Sequence, residues 1–246
     1  MLVQIGSEEW GKNMRLKVLG SGSSGNCYML ENDKEALIIE AGLPFMEVKK
    51  ALDFNVMKIV GMISSHEHGD HYKYFEQYKN AGINSACFGT GIPEYDADKM
   101  KYYLVSMGKF RIKIFPLVHD VPCYGFYITH PEMGSLVYAS DTEYIKYRFK
   151  NVNHFMVESN YDMQFVNREE PNYEHRLRGH MSLPTALKFI STNDNPALRN
   201  VVLIHLSDKS ADSALFKQKT EETVKYGSDV YVAERGLEVD MNLYPF

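Results

Sequence analysis

The stretch ISSHEHGDHYKYF, residues 63–75, sets three histidines and two acids within the six positions from His66 to His71. It follows KIVGMISS, residues 58–65, a nearly continuous apolar run of the kind that forms a buried strand. A divalent metal of intermediate softness takes imidazole nitrogen and carboxylate oxygen at about 2.0–2.2 Å. From an extended loop, the alternate residues His66, His68 and Asp70 would point the same way, and His71 would face a second ion. Gly69 is expected to permit the tight backbone path that such crowding requires. An exposed polar loop would use the same residue types. The strand that feeds the loop, and the gathering of three of the chain's nine histidines here, argue for a metal site.

Working outward, the first half reads as strand-rich. MRLKVLG and CYMLEN are strands joined by SGSSGN, and ALIIEAG follows after a turn. PFMEVKKALDF has a helical apolar period behind a starting proline. YKYFEQYKN reads as a helix that stops at Ala81-Gly82. INSACF, KYYLVS, RIKIFPLVH, GFYITH and LVYASD continue as strands. The second half alternates: HFMVES, the helix LPTALKFIST, NVVLIHLS, the helix SALFKQKTEETVKYG, and DVYVAE as the closing strand. Two strand-rich halves, each supplied with helices, predict two mixed sheets packed face to face with helices on the outer faces, an αββα sandwich of class α+β. One domain over 1–246, with its core about 14–236, is expected.

Further ligand-type residues stand near predicted strand ends: His119 after RIKIFPLV, Asp141 after LVYAS, His205 within NVVLIHLS. Singly, each is an ordinary polar strand end or turn residue. Together they repeat one pattern, an apolar strand that delivers a ligand. SGSSGN lacks the lysine of a phosphate loop and leads into a strand, so a tight turn beside the site is the expectation.

HEHGDH with His119, Asp141 and His205 resembles the H-x-H-x-D-H signature of the metallo-β-lactamase-fold hydrolases, over nearly the whole chain. The resemblance implies an αββα sandwich with two metals at one edge of the sheets. His66, His68 and His119 would hold one ion, and Asp70, His71 and His205 the other, with Asp141 bridging. His71 separates the chain from the lactamases proper. LGSGSSGNCYML, EAGLPF, HDVPCYGF, ESNYD, GHMS and IHLS together resemble the YycJ/WalJ-like nucleases and the anti-Pycsar phosphodiesterases, relatives of tRNA 3′-processing nucleases. Relatives commonly carry Asp where this chain has Glu40, an acid that steadies ligand histidines from behind. The implied cofactors are two divalent ions, with zinc, manganese and iron all suited to the donors.

Two such ions can hold a hydroxide and clamp a phosphoryl oxygen, and the leaving oxygen then needs a proton. His180, just before a predicted helix, is the candidate donor, and Glu158 would orient it and raise its pKa. Asp70 belongs to the same catalytic group. Ser182 is the expected N-cap of that helix, whose amino end suits a phosphate oxygen. Tyr161 and Tyr173 could stack a base, although packing is the default for a chain with 17 tyrosines. His130, His154 and His175 lack such context and read as surface or packing residues.

A net charge of −5 and a pI near 6.0 weigh against broad gripping of long nucleic acid, without excluding a local basic groove. Cys27, Cys87 and Cys123 form neither a disulfide framework nor a thiolate zinc site, which suits a reducing cytoplasm. No signal peptide and no membrane span are expected. The leading expectation is a phosphodiesterase of 3′,5′-cyclic mononucleotides, pyrimidine immune signals such as cyclic CMP and cyclic UMP, in a host-cell cytoplasm if viral. The resemblance also implies a homodimer. The alternative is a YycJ/WalJ-like 5′–3′ DNA exonuclease acting on nucleic acid. Thioester or lactone hydrolysis follows, and a metal-stabilised binding module leaves His180 and Glu158 without a task.

Overall fold

The computed structural model describes residues 13–87, 104–169 and 173–244, apart from the side chains of residues 175 and 176, so the reading of His175 lies outside the described residues. In chain order the first elements are β1 (Arg15–Gly20), β2 (Cys27–Glu31), β3 (Ala36–Ile39), α1 (Phe45–Ala51), β4 (Ile59–Ser64), α2 (Gly69–Tyr72), α3 (Phe75–Asn80) and β5 (Ser85–Cys87). Then follow β6 (Leu104–Met107), β7 (Phe110–Pro116), β8 (Tyr124–His130), β9 (Gly134–Ala139) and β10 (His154–Glu158). The chain continues through α4 (Tyr173–Gly179), α5 (Leu183–Asn193), β11 (Asn200–Ile204), α6 (Ser213–Glu221), β12 (Asp229–Val232) and β13 (Glu238–Asp240).

The strands form two mixed sheets, ordered β13-β1-β2-β3-β4-β5 and β12-β11-β10-β9-β8-β7-β6. Alternation along each strand sorts side chains to the two faces. Leu16, Val18, Tyr28, Leu30, Leu37 and Ile39 of the first sheet meet Ile112, Ile114, Phe126, Ile128, Leu136 and Met156 of the second in the central core. Intervening residues face outward: Met29, Ile38 and Met62 against Phe45 and Val48 of α1 and Tyr78 of α3. On the far side, Val137, Phe155, Val157 and Leu203 pack against Leu183 and Ile190 of α5 and Phe216 of α6. Each fully buried aliphatic or aromatic side chain contributes roughly 1.5–3 kcal/mol, so the layering is held by the core itself. The expected αββα sandwich is present.

Three expectations need correction. DVYVAE does not close the chain, because β13 returns to pair antiparallel with β1 through Leu16 and Val239. Its three residues are too short for a periodicity signal, and only pairing makes them a strand. The helix read through Gly227 ends at Glu221. The second half of the metal motif is a helix, α2, and not an extended loop.

Topology then places the polar residues. β9, β10 and β11 are mutually parallel, so their carboxyl ends share one rim. β4 runs parallel to β3 and ends against the same rim from the other sheet. Ligands of sheets with parallel strands collect at such carboxyl ends.

Candidate metal centre and active site

Seven ligand-type side chains reach this rim from separate segments. Donor atoms of His66, His68, His119 and Asp141 lie within 4.8 Å of one another, as do those of Asp70, His71, Asp141 and His205. Asp141 belongs to both groups. It also belongs to a third, with Glu158, His180 and His205. His119 and Asp141 do not end their strands: they stand three residues past Pro116 and two past Ala139, in the turns that follow.

The outward nitrogens of the rings have protein partners. His119 Nδ1 donates to the Gly179 carbonyl at 2.9 Å. His66 Nδ1 lies 2.8 Å from Ser65 Oγ, while His71 Nδ1 faces the Glu40 carboxylate at 3.4 Å without a hydrogen bond. Such partners fix ring and tautomer and leave the other nitrogen as a lone pair. The inward nitrogens instead crowd one another and the carboxylates. His119 Nε2 is 3.1 Å from His68 Nδ1, His71 Nε2 is 3.1 Å from Asp141 Oδ1, and His205 Nε2 is 3.2 Å from Asp70 Oδ2. His66 Nε2 is buried with no hydrogen-bond partner. A cation is what such a donor set lacks, and its nitrogen and oxygen chemistry fits a divalent metal.

The electrostatics of the cluster point the same way. Burial, and then the charge of His71, push His66 down to about 2, so its imidazole is neutral. Burial would lower His71 and His205 too, but Asp141 outweighs it and holds both above the usual imidazole range. Burial would raise Asp70 and Asp141, and the neighbouring imidazoles instead hold both carboxyls well down. The buried carboxylates thus favour positive charge at this rim, the charge a divalent ion would supply.

The backbone is strained where it turns into the site. Glu40, Asp141 and His205 have left-handed φ values of 67°, 53° and 54°. For non-glycine residues this costs of order 1–3 kcal/mol each and persists only where surroundings dictate it. At Glu40 and His205 they do: Glu40 N–H donates to Ile63 O at 2.8 Å, His205 N–H to Ser21 Oγ at 2.9 Å, and Asn160 Nδ2 to His205 O at 2.8 Å. Glu40 is fully buried and accepts from Tyr138 OH at 3.0 Å, Ser64 Oγ at 2.9 Å and the Ser65 N–H at 3.2 Å. The longer acid therefore ties the two sheets together behind His71.

Gly69 does not have the role expected of it. It opens α2, and a Cβ there would touch nothing within 4 Å. The glycine required by crowding is Gly42, where a Cβ would lie 1.9 Å from the Asp70 carbonyl oxygen.

Beside the cluster, His180 Nδ1 lies 2.7 Å from Glu158 Oε1, and His205 Nδ1 lies 3.1 Å from the same oxygen. Burial would lower His180, but the Glu158 carboxylate raises it. Glu158 Oε2 accepts the backbone N–H groups of Thr142 and Met181 at 3.0 and 3.2 Å, which locks the carboxylate. Ser182 caps α5 by accepting from the Thr185 N–H. Tyr161 is only 6 % exposed, so its ring is in the packing; its main chain bridges Ser182, and its carbonyl accepts from Leu183 N–H at 2.7 Å.

Several site residues escaped sequence reasoning. Asn26 sits buried in the SGSSGN turn with Nδ2 3.0 Å from His71 Nε2 and 3.3 Å from Asp70 Oδ2. Asp120 brings a half-exposed carboxylate 3.1 Å from His119 Nε2 and 3.6 Å from His68 Nε2. Its adjacency to His119 was the available signal, whereas Asn26 is adjacent only in space. Cys123 stands 3.7 Å behind His66 Nδ1, and burial keeps it a neutral thiol. Among the described residues, no helix is long and apolar enough to cross a membrane.

Residues 20–142 match the model of the Metallo-beta-lactamase superfamily. The chain is 24% identical to exodeoxyribonuclease YycJ of Bacillus anthracis over 226 residues, covering 79% of this chain and 83% of the relative. It is 25% identical to exodeoxyribonuclease WalJ of Streptococcus pneumoniae, covering 94% and 93%. Among solved structures, the metallo-beta-lactamase fold protein YhfI of Bacillus subtilis superposes with a TM-score of 0.69 at 18% identity, over 92% of this chain and 99% of that one.

Proposed function

The chain belongs to the Metallo-beta-lactamase superfamily, and from that premise we propose that it is a metal-dependent phosphodiesterase that trims DNA ends with His180 as proton donor. The observation that carries the reading is the 2.7 Å contact of His180 Nδ1 with Glu158 Oε1 beside the histidine–aspartate cluster. His66, His68 and His119 would hold one divalent ion and Asp70, His71 and His205 a second, with Asp141 between them. Zinc suits these donors, as do manganese and iron. When bound, such a pair polarises a phosphoryl group and acidifies water.

The residues of the chain do the rest. Glu158, held by two backbone N–H groups, fixes the His180 tautomer and favours the imidazolium, so His180 can pass a proton to the departing oxygen. Glu40 behind His71 and Ser65 behind His66 keep the ligand rings oriented. Ser182 secures the start of α5 directly behind His180. The relatives named exodeoxyribonucleases favour DNA as the substrate.

A second reading, hydrolysis of 3′,5′-cyclic mononucleotides such as cyclic CMP and cyclic UMP by a homodimer in the anti-Pycsar manner, is favoured by the acidic composition of the chain. The test is incubation of the metal-loaded protein with end-labelled DNA, cyclic CMP, cyclic UMP, cyclic AMP and a thioester. Shortening of DNA is expected. Hydrolysis of cyclic nucleotides alone would replace the first reading with the second, and thioester cleavage alone would remove both.

A further inference from the structure

The crossover from β9 to β10 leaves the site at Asp141 and runs as an extended segment, Glu143–Lys150, with no helix or strand of its own. Its burial alternates. Ile145, Tyr147 and Phe149 turn inward onto the cluster beneath α5, while Tyr144, Lys146, Arg148 and Lys150 are exposed. The root is fixed to the catalytic rim: Thr142 N–H donates to Glu158 Oε2 at 3.0 Å, and Glu143 N–H to Val118 O at 3.1 Å. Farther along, Phe149 N–H donates to Asn193 Oδ1 at 2.7 Å. The exposed row is therefore held in place.

Beside it lies a groove of about 300 Å³ lined by Lys113, Phe115, Tyr127, Tyr147, Arg148, Phe149 and Lys150, with no carboxylate. Tyr127 and Phe149 are parallel, with centroids 6.1 Å apart. Outer-face residues Arg111 and Lys113 of β7 extend the surface, and every charged residue in 109–118 and 143–150 is a cation except Glu143 at the root. This occurs in a chain with 32 acids against 27 bases. Alternate residues of an extended segment repeat every 6–7 Å or so, which matches charges to the successive phosphates of an extended strand. Cations tracking a backbone, interleaved with aromatic rings, are the requirements for a single strand.

We propose that this face is a track for single-stranded nucleic acid, in which Lys146, Arg148, Lys150 and Lys113 hold the phosphates of a strand whose end lies in the metal centre. The proposal deepens the DNA-end reading and rests on it. It also reconciles an acidic protein with a polyanionic substrate, since the attraction is local and the rest of the surface repels.

The test compares the metal-loaded wild type with the Lys146→Glu/Arg148→Glu/Lys150→Glu variant. Binding of a fluorescent phosphorothioate 20-mer, single-stranded or duplex, is read by anisotropy across salt concentrations, and turnover of bis(p-nitrophenyl) phosphate is read in parallel. The expected result is at least a tenfold weaker single-strand Kd in the variant and a salt slope shallower by about 2, as for the loss of three phosphate contacts. Small-ester turnover stays unchanged. Equal strand affinity in both proteins, or tighter binding of duplex than of single strand by the wild type, overturns the track while DNA trimming stands. A wild type that hydrolyses the small ester but neither binds nor shortens DNA overturns the track and the DNA-end reading together.

Discussion

The two ends of β10 hold buried polar groups in opposite situations. At its start, His154 has both nitrogens satisfied: Nε2 donates to Met133 O at 3.1 Å and Nδ1 accepts from Asn200 Nδ2 at 3.0 Å. His130, on the neighbouring part of the same end, is likewise matched, with Glu35 Oε1 at 3.0 Å and the Glu132 N–H on its other nitrogen. At the carboxyl end of β10, Glu158 meets His180 and His205, and beyond it His66, His68, Asp70, His71 and His119 converge on Asp141. One end is a closed set of donors and acceptors. The other has acceptors in excess and a buried His66 Nε2 with no partner. Buried histidine is therefore no metal signal in itself; the unbalanced set is.

The comparison breaks most visibly with His66→Ala, which should remove metal and turnover together, lowering activity by three orders of magnitude or more. Metal analysis of the purified variant checks it, and full metal content with lost activity would refute the ligand role. The closed end predicts the reverse. Burial pushes His154 down to about 4, so between pH 6.5 and 4 the unfolded chain binds the extra proton and stability falls as pH falls, by up to about 3 kcal/mol from this group. His154→Gln should keep metal and activity, and its urea midpoint should drop less than that of the wild type between pH 7 and 5. Parallel declines would show that His154 does not titrate in this way. The smallest effect is expected at Gly69→Ala, within about 1 kcal/mol of the wild-type stability and with metal retained, because the added methyl meets open space. Gly42→Ala, whose methyl would meet the Asp70 carbonyl, should lower the urea midpoint far more.

Much of the rim was legible because strand ends in a sandwich must converge. HEHGDH, His119, Asp141 and His205 needed only apolar runs of the right length and ligand-type residues after them, and the structure gathers them within one cluster. Glu158 and His180 were legible for the same reason, as a strand end and a helix start. What was not legible depends on contacts between distant segments. The helical α2, the left-handed Glu40, Asp141 and His205, and the approach of Gly42 to Asp70 arise from packing that leaves no local pattern. β13 exists only as a partner of β1. The inward and outward rows of 143–150 did leave a local pattern, the alternation Ile145-Lys146-Tyr147-Arg148-Phe149-Lys150, but such a period reads as a half-buried strand, and this segment pairs with no strand.

If His180, oriented by Glu158, protonates a leaving oxygen, its removal should matter in proportion to how poorly that oxygen leaves. Metal-loaded wild type and His180→Ala would be compared on an oligonucleotide, whose sugar alkoxide leaves poorly, and on bis(p-nitrophenyl) phosphate, whose phenolate needs no acid. The account predicts unchanged metal content, a 10²–10⁴-fold loss on the oligonucleotide and less than about a tenfold loss on the aryl ester. Equal losses on the two substrates, or loss of metal from the variant, would contradict it.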